Sequence, residues 1–202
     1  MANTSLRTVV VKGPGLEPWL QAVSELRIRV FRDFPYLYDG SLDYERNYLQ
    51  TYVDSDTALC VLALDGDRVV GASTGLAMAD ETDEFRRPLD EAGLHVDSVF
   101  YCAESVLLPE YRGHGLYRAF FEAREAHARA LGKTVSVFCA VKRPDDHPLK
   151  PRDYQPLDPV WRRFGYRPEA RIQATFPWKD IDQPVETDKP LMFYRKVLEE
   201  NA

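Results

Sequence analysis

The sequence is short of the features that mark several large classes of protein. It has 3 cysteines in 202 residues, an odd number that is too small and too scattered for a disulfide framework. Cys60, Cys102 and Cys139 each lie in an apolar run, which indicates buried thiols in a reducing compartment. No segment is an apolar stretch of membrane-spanning length, and the N-terminus has no basic region followed by a long apolar run. We therefore expect a cytoplasmic protein with no membrane partner.

The chain also lacks an excess of basic residues. Its 26 Lys and Arg residues are outnumbered by 32 Asp and Glu residues, which gives a net charge of -6. A nucleic-acid-binding protein needs a basic face to neutralise phosphates, so we expect no nucleic-acid partner. Histidines, cysteines and carboxylates do not occur at the spacing of a metal site, so we expect no metal. The acidic balance leaves room for a cationic or amine substrate.

Apolar residues make up 45% of the chain, which is enough to form one hydrophobic core. Its length favours a single domain spanning residues 1–202. Helices mixed into a sheet with both parallel and antiparallel pairs predict an α+β fold. The segment 79–95 is compatible with a helix or with an ordered loop. Apolar periodicity predicts strands at 7–11, 58–64, 68–75, 98–108, 133–141, 171–176 and 191–197, and helices at 17–31, 41–52, 115–131 and 160–164.

The segment from Tyr111 to Phe121, YRGHGLYRAFF, joins a predicted buried strand to the most regular predicted helix. The first turn of a helix presents unpaired backbone N–H groups and the positive end of the helix dipole. Gly113 and Gly115 let the backbone approach an anion closely, and Arg112 adds a fixed positive charge that suits phosphate. Together these features predict an anion-binding cradle built mainly from backbone.

Three other motifs resemble parts of this sequence; the spacing argues against the first two, and the predicted elements argue against the third. A Walker loop ends in Gly-Lys-Ser/Thr, which residues 114–117 do not supply. A dinucleotide fingerprint needs a third glycine three residues after the second, where Arg118 stands. The run from Gly71 to Gly75 fits G-x-S-x-G, but a hydrolase nucleophile elbow needs a strand followed by a helix. Because this run continues a predicted hairpin strand, a serine hydrolase is not favoured.

Residues 105–117, SVLLPEYRGHGLY, resemble the acyl-CoA-binding motif of the GNAT superfamily of N-acetyltransferases, Q/R-x-x-G-x-G/A after an apolar strand and a proline. The resemblance extends to the order of elements and implies a three-layer α/β/α fold around a mixed, mostly antiparallel sheet. Tyr117 departs from the pattern, because glycine or alanine usually fills that position. The resemblance implies acetyl-CoA as cosubstrate, its pantetheine arm on the backbone of Val106, Leu107 and Leu108 and its pyrophosphate on the backbone amides of Arg112, Gly113, His114, Gly115, Leu116 and Tyr117.

Transfer of an acetyl group to an amine needs a base for the amine, a donor for the oxyanion and, ideally, an acid for the leaving thiolate. Glu104 is the only charged residue from 98 to 108. It lies beside the position that the resemblance implies for the acetyl group, so it is the candidate catalytic base. The alternative is a structural carboxylate that an arginine or backbone N–H groups neutralise.

The sequence identifies the catalytic acid less clearly than the catalytic base. Many members of the superfamily use a tyrosine at a position where this chain has Trp161, which does not donate a proton in the same way. Tyr154 lies in a proline-rich loop with the freedom to reach the thiol, so it is the candidate catalytic acid; its alternative role is that of a loop aromatic covering the core. Tyr101 and Cys139 are further candidates for the acid, and a solvent route for the proton is another alternative.

These features predict an enzyme that transfers an acetyl group from acetyl-CoA to a primary amine by direct attack. Both a small-molecule amine and a peptide amine fit as acceptor. The replacement at Trp161 keeps a second hypothesis open, that of a non-catalytic acyl-CoA-binding or regulatory module on the same fold. The resemblance also makes a homodimer a candidate assembly.

Overall fold

A computed structural model describes residues 6–198, in which strands and helices follow the order that the sequence predicts. The strands are β1 (Leu6–Val11), β2 (Leu59–Asp65), β3 (Arg68–Ala77), β4 (Val99–Leu107), β5 (Val135–Val141), β6 (Arg167–Lys179) and β7 (Glu186–Val197). The helices are α1 (Leu20–Phe31), α2 (Leu42–Asp54), α3 (Asp83–Glu91), α4 (Leu116–Ala130) and α5 (Asp158–Arg163). The ambiguous segment 79–95 therefore contains a helix.

Two boundaries differ from the prediction for local reasons. Helix α1 begins at Leu20 and not at residue 17, because the preceding segment Gly13–Trp19, which contains Pro18, forms a 3₁₀ helix. Strands β6 and β7 are longer than predicted because they pair with each other over most of their length. The predicted cap of α2 is present, since the backbone N–H of Tyr44 donates to the Ser41 hydroxyl at 3.3 Å.

The seven strands form one sheet in the order β1-β2-β3-β4-β5-β7-β6. Neighbouring strands are antiparallel everywhere except between β4 and β5. Helix α4 makes the crossover between these two parallel strands, as such a connection requires. The predicted α+β fold with a mixed, mostly antiparallel sheet is confirmed.

Helices cover both faces of the sheet. Helices α1 and α2 lie on one face, where Arg27 and Tyr48 reach the side chain of Glu104 on β4. Helix α4 lies on the other face, where His127 packs edge-on against Phe100, and α5 joins it through contacts of Trp161. The arrangement is three layers, helices, sheet and helices. Among residues 6–198, no helix has the length and apolar character that crossing a membrane requires.

Candidate active site

The predicted anion cradle is an open turn between β4 and α4. Gly113 and Gly115 have φ values of +83° and +80°, which glycine adopts at little cost and other residues avoid. A Cβ atom added at either position would meet no atom within 4 Å, so the space in front of the turn is empty of protein. Arg112 and His114 are exposed beside it. Within the described chain, the backbone N–H groups of residues 113–118 donate no hydrogen bond, and they remain available to an anion.

An unpaired strand edge leads directly to this cradle. Strand β4 pairs with β5 only from Val99 to Tyr101, opposite Val135 to Val137. Beyond that point, β5 continues to pair with β7 while β4 continues to pair with β3, so the two parallel strands diverge. Among residues 6–198, the edge of β4 that faces β5 therefore has no strand partner from residue 102 onward. This is the edge on which the pantetheine arm is predicted to lie, along Val106, Leu107 and Leu108.

A β-bulge sits where the two strands diverge. In the pairing of β3 with β4, Leu76 is opposite Tyr101 and Thr74 is opposite Glu104, so β4 has one extra residue in this interval. The extra residue reverses the alternation of side chains along β4. Glu104 consequently shares a face with Tyr101, the face covered by α1 and α2, instead of facing α4. Arg124 of α4 stabilises the bulge by donating to the carbonyl of Glu104 at 3.0 Å.

The Glu104 carboxylate enters a buried charged cluster. Its side chain is 7% exposed and forms an ion pair with Arg27, which also forms an ion pair with the fully buried Glu45. Tyr48 donates a hydrogen bond to Glu104 Oε2 at 3.1 Å, and its hydroxyl lies 2.9 Å from that of Tyr52. Burial raises the pKa of Tyr48 well above its usual value and the nearby Glu104 adds to the rise, so this hydroxyl stays a donor.

Comparison with known proteins was made on sequence and on structure. No protein-family model matches the sequence, and no curated protein sequence matches it significantly. An acetyltransferase of the GNAT family from Streptococcus pneumoniae superposes with a TM-score of 0.57 at 12% identity, over 96% of this chain and 100% of its own. The chain has the GNAT fold. At this identity the likeness concerns the fold, and the order of its elements agrees with the resemblance found in the sequence.

Two further structures share the GNAT fold with this chain. One is a protein from Salmonella typhimurium that is assigned as an acetyltransferase and was solved with its cofactor acetyl-CoA. Its TM-score is 0.59 at 14% identity, over 96% of both chains. The other is a ribosomal-protein-alanine N-acetyltransferase from Brucella melitensis, with a TM-score of 0.60 at 13% identity, over 94% of this chain and 99% of its own.

The two residues that depart from the GNAT pattern contact each other. The indole Nε1 of Trp161 donates a hydrogen bond to the Tyr117 hydroxyl at 2.9 Å. The Tyr117 ring packs edge-on against Phe121 and Phe164, so it points towards α5 and away from the exposed turn of the cradle. The bulk of Tyr117 therefore leaves the backbone of the cradle accessible. The indole N–H of Trp161, in turn, is already engaged.

The structure places the candidate acids in different surroundings. Tyr154 packs edge-on against Phe34 at 4.7 Å between ring centroids, and its role as an acid stays a prediction. Tyr101 and Cys139 are buried on β4 and β5, and Cys139 lies two residues beyond Val137, the residue paired with Tyr101. The Tyr101 hydroxyl is 3.1 Å from the Cys139 sulfur. One hydrogen bond joins the two groups and either can be its donor, so the group that accepts keeps its own hydrogen and the role of either as an acid stays a prediction.

The sequence did not single out Arg27 or Glu81, which the structure places in the same cluster. Arg27 lies on an ordinary amphipathic helix, where an arginine gives no sign of burial. Glu81 follows β3, and its carboxylate accepts a hydrogen bond from the backbone N–H of Thr82 at 3.1 Å. Burial raises the pKa of Glu81 to about 7, with a smaller contribution from Glu104. Glu81 is separated from β3 by the 3₁₀ turn Met78–Asp80, and no motif in the sequence marks it.

The serine of the G-x-S-x-G run has no nucleophile geometry. Ser73 is fully buried within β3, and no helix follows it. Its hydroxyl donates to the carbonyl of Glu104 at 2.9 Å and lies 2.9 Å from the hydroxyl of Ser105. Gly75 is explained by packing against the bulge, because a Cβ atom there would lie 2.9 Å from the Tyr101 carbonyl oxygen. The run is part of the sheet, as the sequence indicated.

Proposed function

We propose that this protein transfers an acetyl group from acetyl-CoA to a primary amine. The observation that carries the proposal is the cradle at residues 112–117 opening directly onto the unpaired edge of β4. A backbone cradle at a helix N-terminus suits a pyrophosphate, and an open strand edge suits an extended chain with amide groups. Acetyl-CoA has both parts in the required order, followed by the thioester.

The direction of β4 supports this orientation of acetyl-CoA, with its pyrophosphate at the cradle and its thioester near the bulge. With its pyrophosphate at Arg112 to Gly115, the cofactor would extend back along β4 towards the bulge. Its thioester would then approach Glu104, where the two parallel strands diverge. The residues proposed to hold the pantetheine arm are Val106, Leu107 and Leu108, and those proposed to hold the pyrophosphate are Arg112, Gly113, His114, Gly115, Leu116 and Tyr117.

The charge of the buried cluster supports an amine as acceptor. Arg27 is in contact with two carboxylates, those of Glu45 and Glu104. Glu81 adds a third carboxylate near Glu104. An excess of buried negative charge favours a cation, which is the form in which a primary amine arrives at neutral pH. The Brucella protein of the same fold acts, by its name, on an amino group of alanine.

For the base, we propose a carboxylate of this cluster. Glu104 is the first candidate, because the bulge places it at the point where the strands diverge. Its carboxylate is nonetheless held by Arg27 and Tyr48, an arrangement that a purely structural glutamate would share. Glu81 is the second candidate, because a group with a pKa of about 7 is well matched to proton transfer at neutral pH.

The test is acceptor-dependent thiol release. Purified protein is mixed with acetyl-CoA and a panel of small-molecule and peptide amines, and the free thiol of CoA is followed. We expect thiol release that depends on the amine. Tight acetyl-CoA binding without such release would favour the non-catalytic binding module, and failure to bind any CoA ester would contradict both functions.

A further inference from the structure

Arg124, on the face of α4 that packs on the sheet, is a buried charge without a counter-ion. It is 2% exposed and is the largest fully buried side chain among the described residues. Burying a guanidinium is costly unless a carboxylate compensates its charge. Among residues 6–198, no carboxylate forms an ion pair with Arg124, and its Nε makes no hydrogen bond. The adjacent Glu125 instead lies 2.7 Å from Lys196 and 3.7 Å from Arg129.

The guanidinium of Arg124 lies directly against the bulge of β4. Its Nη1 donates to the carbonyl of Glu104 at 3.0 Å and to that of Thr74, on β3, at 3.5 Å. Its Cζ is 4.9 Å from the centroid of the Phe121 ring, and that ring packs edge-on against Phe138 of β5 at 6.2 Å. Arg124 therefore borders, on the α4 side of the sheet, the space where β4 and β5 diverge.

The contacts of Arg124 do not by themselves require a charged side chain. The hydroxyl of Ser73 also donates to the Glu104 carbonyl, at 2.9 Å, so that carbonyl would keep a partner without Arg124. The Phe121 ring gives the guanidinium a cation–π contact, which offsets only part of the cost of burial. Replacing a buried charge by an apolar side chain of similar size is often neutral or stabilising. The charge of Arg124 thus exceeds what packing needs, which favours a role towards an anion.

The two faces of β4 carry opposite charges at the bulge. On the side of α1 and α2, the carboxylate of Glu104 lies in the acidic cluster that Arg27 and Glu45 share. On the side of α4, the cation of Arg124 binds the carbonyl of the same residue, Glu104. In the orientation proposed above, the thioester approaches the edge of β4 between these two faces. The first face favours an amine that arrives as a cation, and the second favours negative charge that develops on the thioester.

We propose that Arg124 supplies a fixed positive charge that stabilises the negative charge formed on acetyl-CoA during the transfer. This role rests on the proposed acetyltransferase function. The amine nitrogen, which has given its proton to the base, bonds to the carbonyl carbon, and the π electron pair of the carbonyl passes to oxygen. When the carbonyl forms again, the carbon–sulfur electron pair passes to sulfur, which leaves as the thiolate and takes a proton from solvent.

Three substitutions at Arg124 separate its charge from its hydrogen bond. Arg124→Gln keeps an N–H donor and removes the charge, Arg124→Met removes both, and Arg124→Lys keeps the charge. We expect kcat to fall roughly tenfold or more in the two neutral variants, and to stay within about threefold of the wild type in Arg124→Lys. The Kd for acetyl-CoA should stay within about threefold in all of them, because the bound thioester itself is uncharged.

Two further measurements distinguish this role from a purely structural one. Denaturant unfolding should show Arg124→Met at least as stable as the wild type, because the variant buries no charge and Ser73 still binds the Glu104 carbonyl. The pH dependence of the Kd for CoA should give its bound thiol a higher pKa in Arg124→Gln than in Arg124→Lys, because a nearby cation favours the thiolate. Arg87→Met, at a helical arginine that is 76% exposed, is the matched control and should leave kcat and both Kd values unchanged.

The outcomes separate the role of Arg124 from the function on which it rests. Absence of amine-dependent thiol release by the wild-type protein would overturn the proposed function and the role of Arg124 together. Thiol release by the wild type, with equal kcat in Arg124→Lys and Arg124→Gln, would overturn the role of the charge alone. A loss of stability in all three Arg124 variants that parallels their loss of kcat would also overturn it, since Arg124 would then be needed for folding.

Discussion

Buried carboxylates are the most informative single residues in this molecule. Glu104 on β4 and Glu45 on α2 are buried between the sheet and the helices α1 and α2, Glu81 is buried after β3, and Arg27 contacts the first two. Burial opposes the charge on Arg27, but Glu104, Tyr48 and Glu45 outweigh it and hold the pKa of Arg27 above its usual value. Arg27 therefore stays positively charged, and the residues around it in the cluster are acidic.

Replacing each candidate base with its neutral isostere tests which carboxylate accepts the proton. We expect Glu104→Gln to lower kcat by roughly 100-fold or more, the contribution typical of general base catalysis, and to leave acetyl-CoA affinity nearly unchanged. Glu81→Gln is the matched comparison, and the measurement is kcat against pH for both variants. Unchanged turnover across the pH range in Glu104→Gln would remove Glu104 as base, and loss in Glu81→Gln would transfer the role to Glu81.

The raised pKa of Glu81 predicts that the stability of the folded protein depends on pH. Its pKa is about 7 in the folded protein against an ordinary 4.5, so below pH 4.5 the group is protonated in both states and costs nothing. Between these values the unfolded chain ionises while the folded protein keeps its proton, and stability falls as pH rises. Above pH 7, the full decrease in the free energy of unfolding is on the order of 3 kcal/mol.

Denaturant unfolding at pH 5 and at pH 8 measures this loss. Glu81→Gln should be more stable than wild type at pH 8, with little difference near pH 4.5. Glu91→Gln changes an exposed glutamate at the end of α3, and it should follow the wild type at both pH values. If the wild type and Glu81→Gln show the same change between the two pH values, the proposed environment of Glu81 is wrong.

At the scale of elements, the contact between α4 and α5 deserves a direct measurement. Trp161 on α5 and Tyr117 on α4 are joined by one hydrogen bond, and each replaces the residue expected from the GNAT pattern. We expect a double-mutant cycle of Trp161→Phe and Tyr117→Phe to give a coupling free energy of about 1 kcal/mol. A coupling free energy near zero would mean that Trp161 and Tyr117 contribute to stability independently of each other. Thermal or denaturant unfolding of the four proteins provides the values.

The element order could be predicted from the sequence, but the face on which Glu104 lies could not. Periodicity and turn residues identify each strand and helix because these signals are local. The bulge in β4 depends on how β3 packs, since Gly75 is the residue that allows the close approach of the Tyr101 carbonyl. If the side chains along β4 alternated strictly between the two faces of the sheet, Glu104 would lie against α4. A non-local contact therefore decides which helices surround the candidate base.

The turn between β4 and α4 was predictable to a greater extent than the surroundings of the candidate base. Its glycines and arginine are contiguous in the sequence and act largely through the backbone, which side-chain packing changes little. Arg27 and Glu81 come from two separate segments, and only the folded chain brings their charges near Glu104. This difference explains why Arg27 and Glu81 were not identified from the sequence.

At the scale of the whole molecule, the central claim is that the turn between β4 and α4 binds the pyrophosphate of acetyl-CoA. Gly115→Ala and Gly93→Ala form a matched pair, because both glycines have nearly the same φ, +80° and +78°, and open space at the Cβ position. Each substitution should cost about 1 kcal/mol of stability from backbone strain. Only Gly115→Ala places a methyl group where the anion would approach.

Calorimetric titration of acetyl-CoA into the wild type and these two variants is the most direct measurement. We predict saturable binding to the wild type, similar binding to Gly93→Ala and a loss of affinity of about tenfold or more in Gly115→Ala. Equal affinity in all three proteins, or no binding by the wild type, would contradict the claim that this turn holds the cofactor.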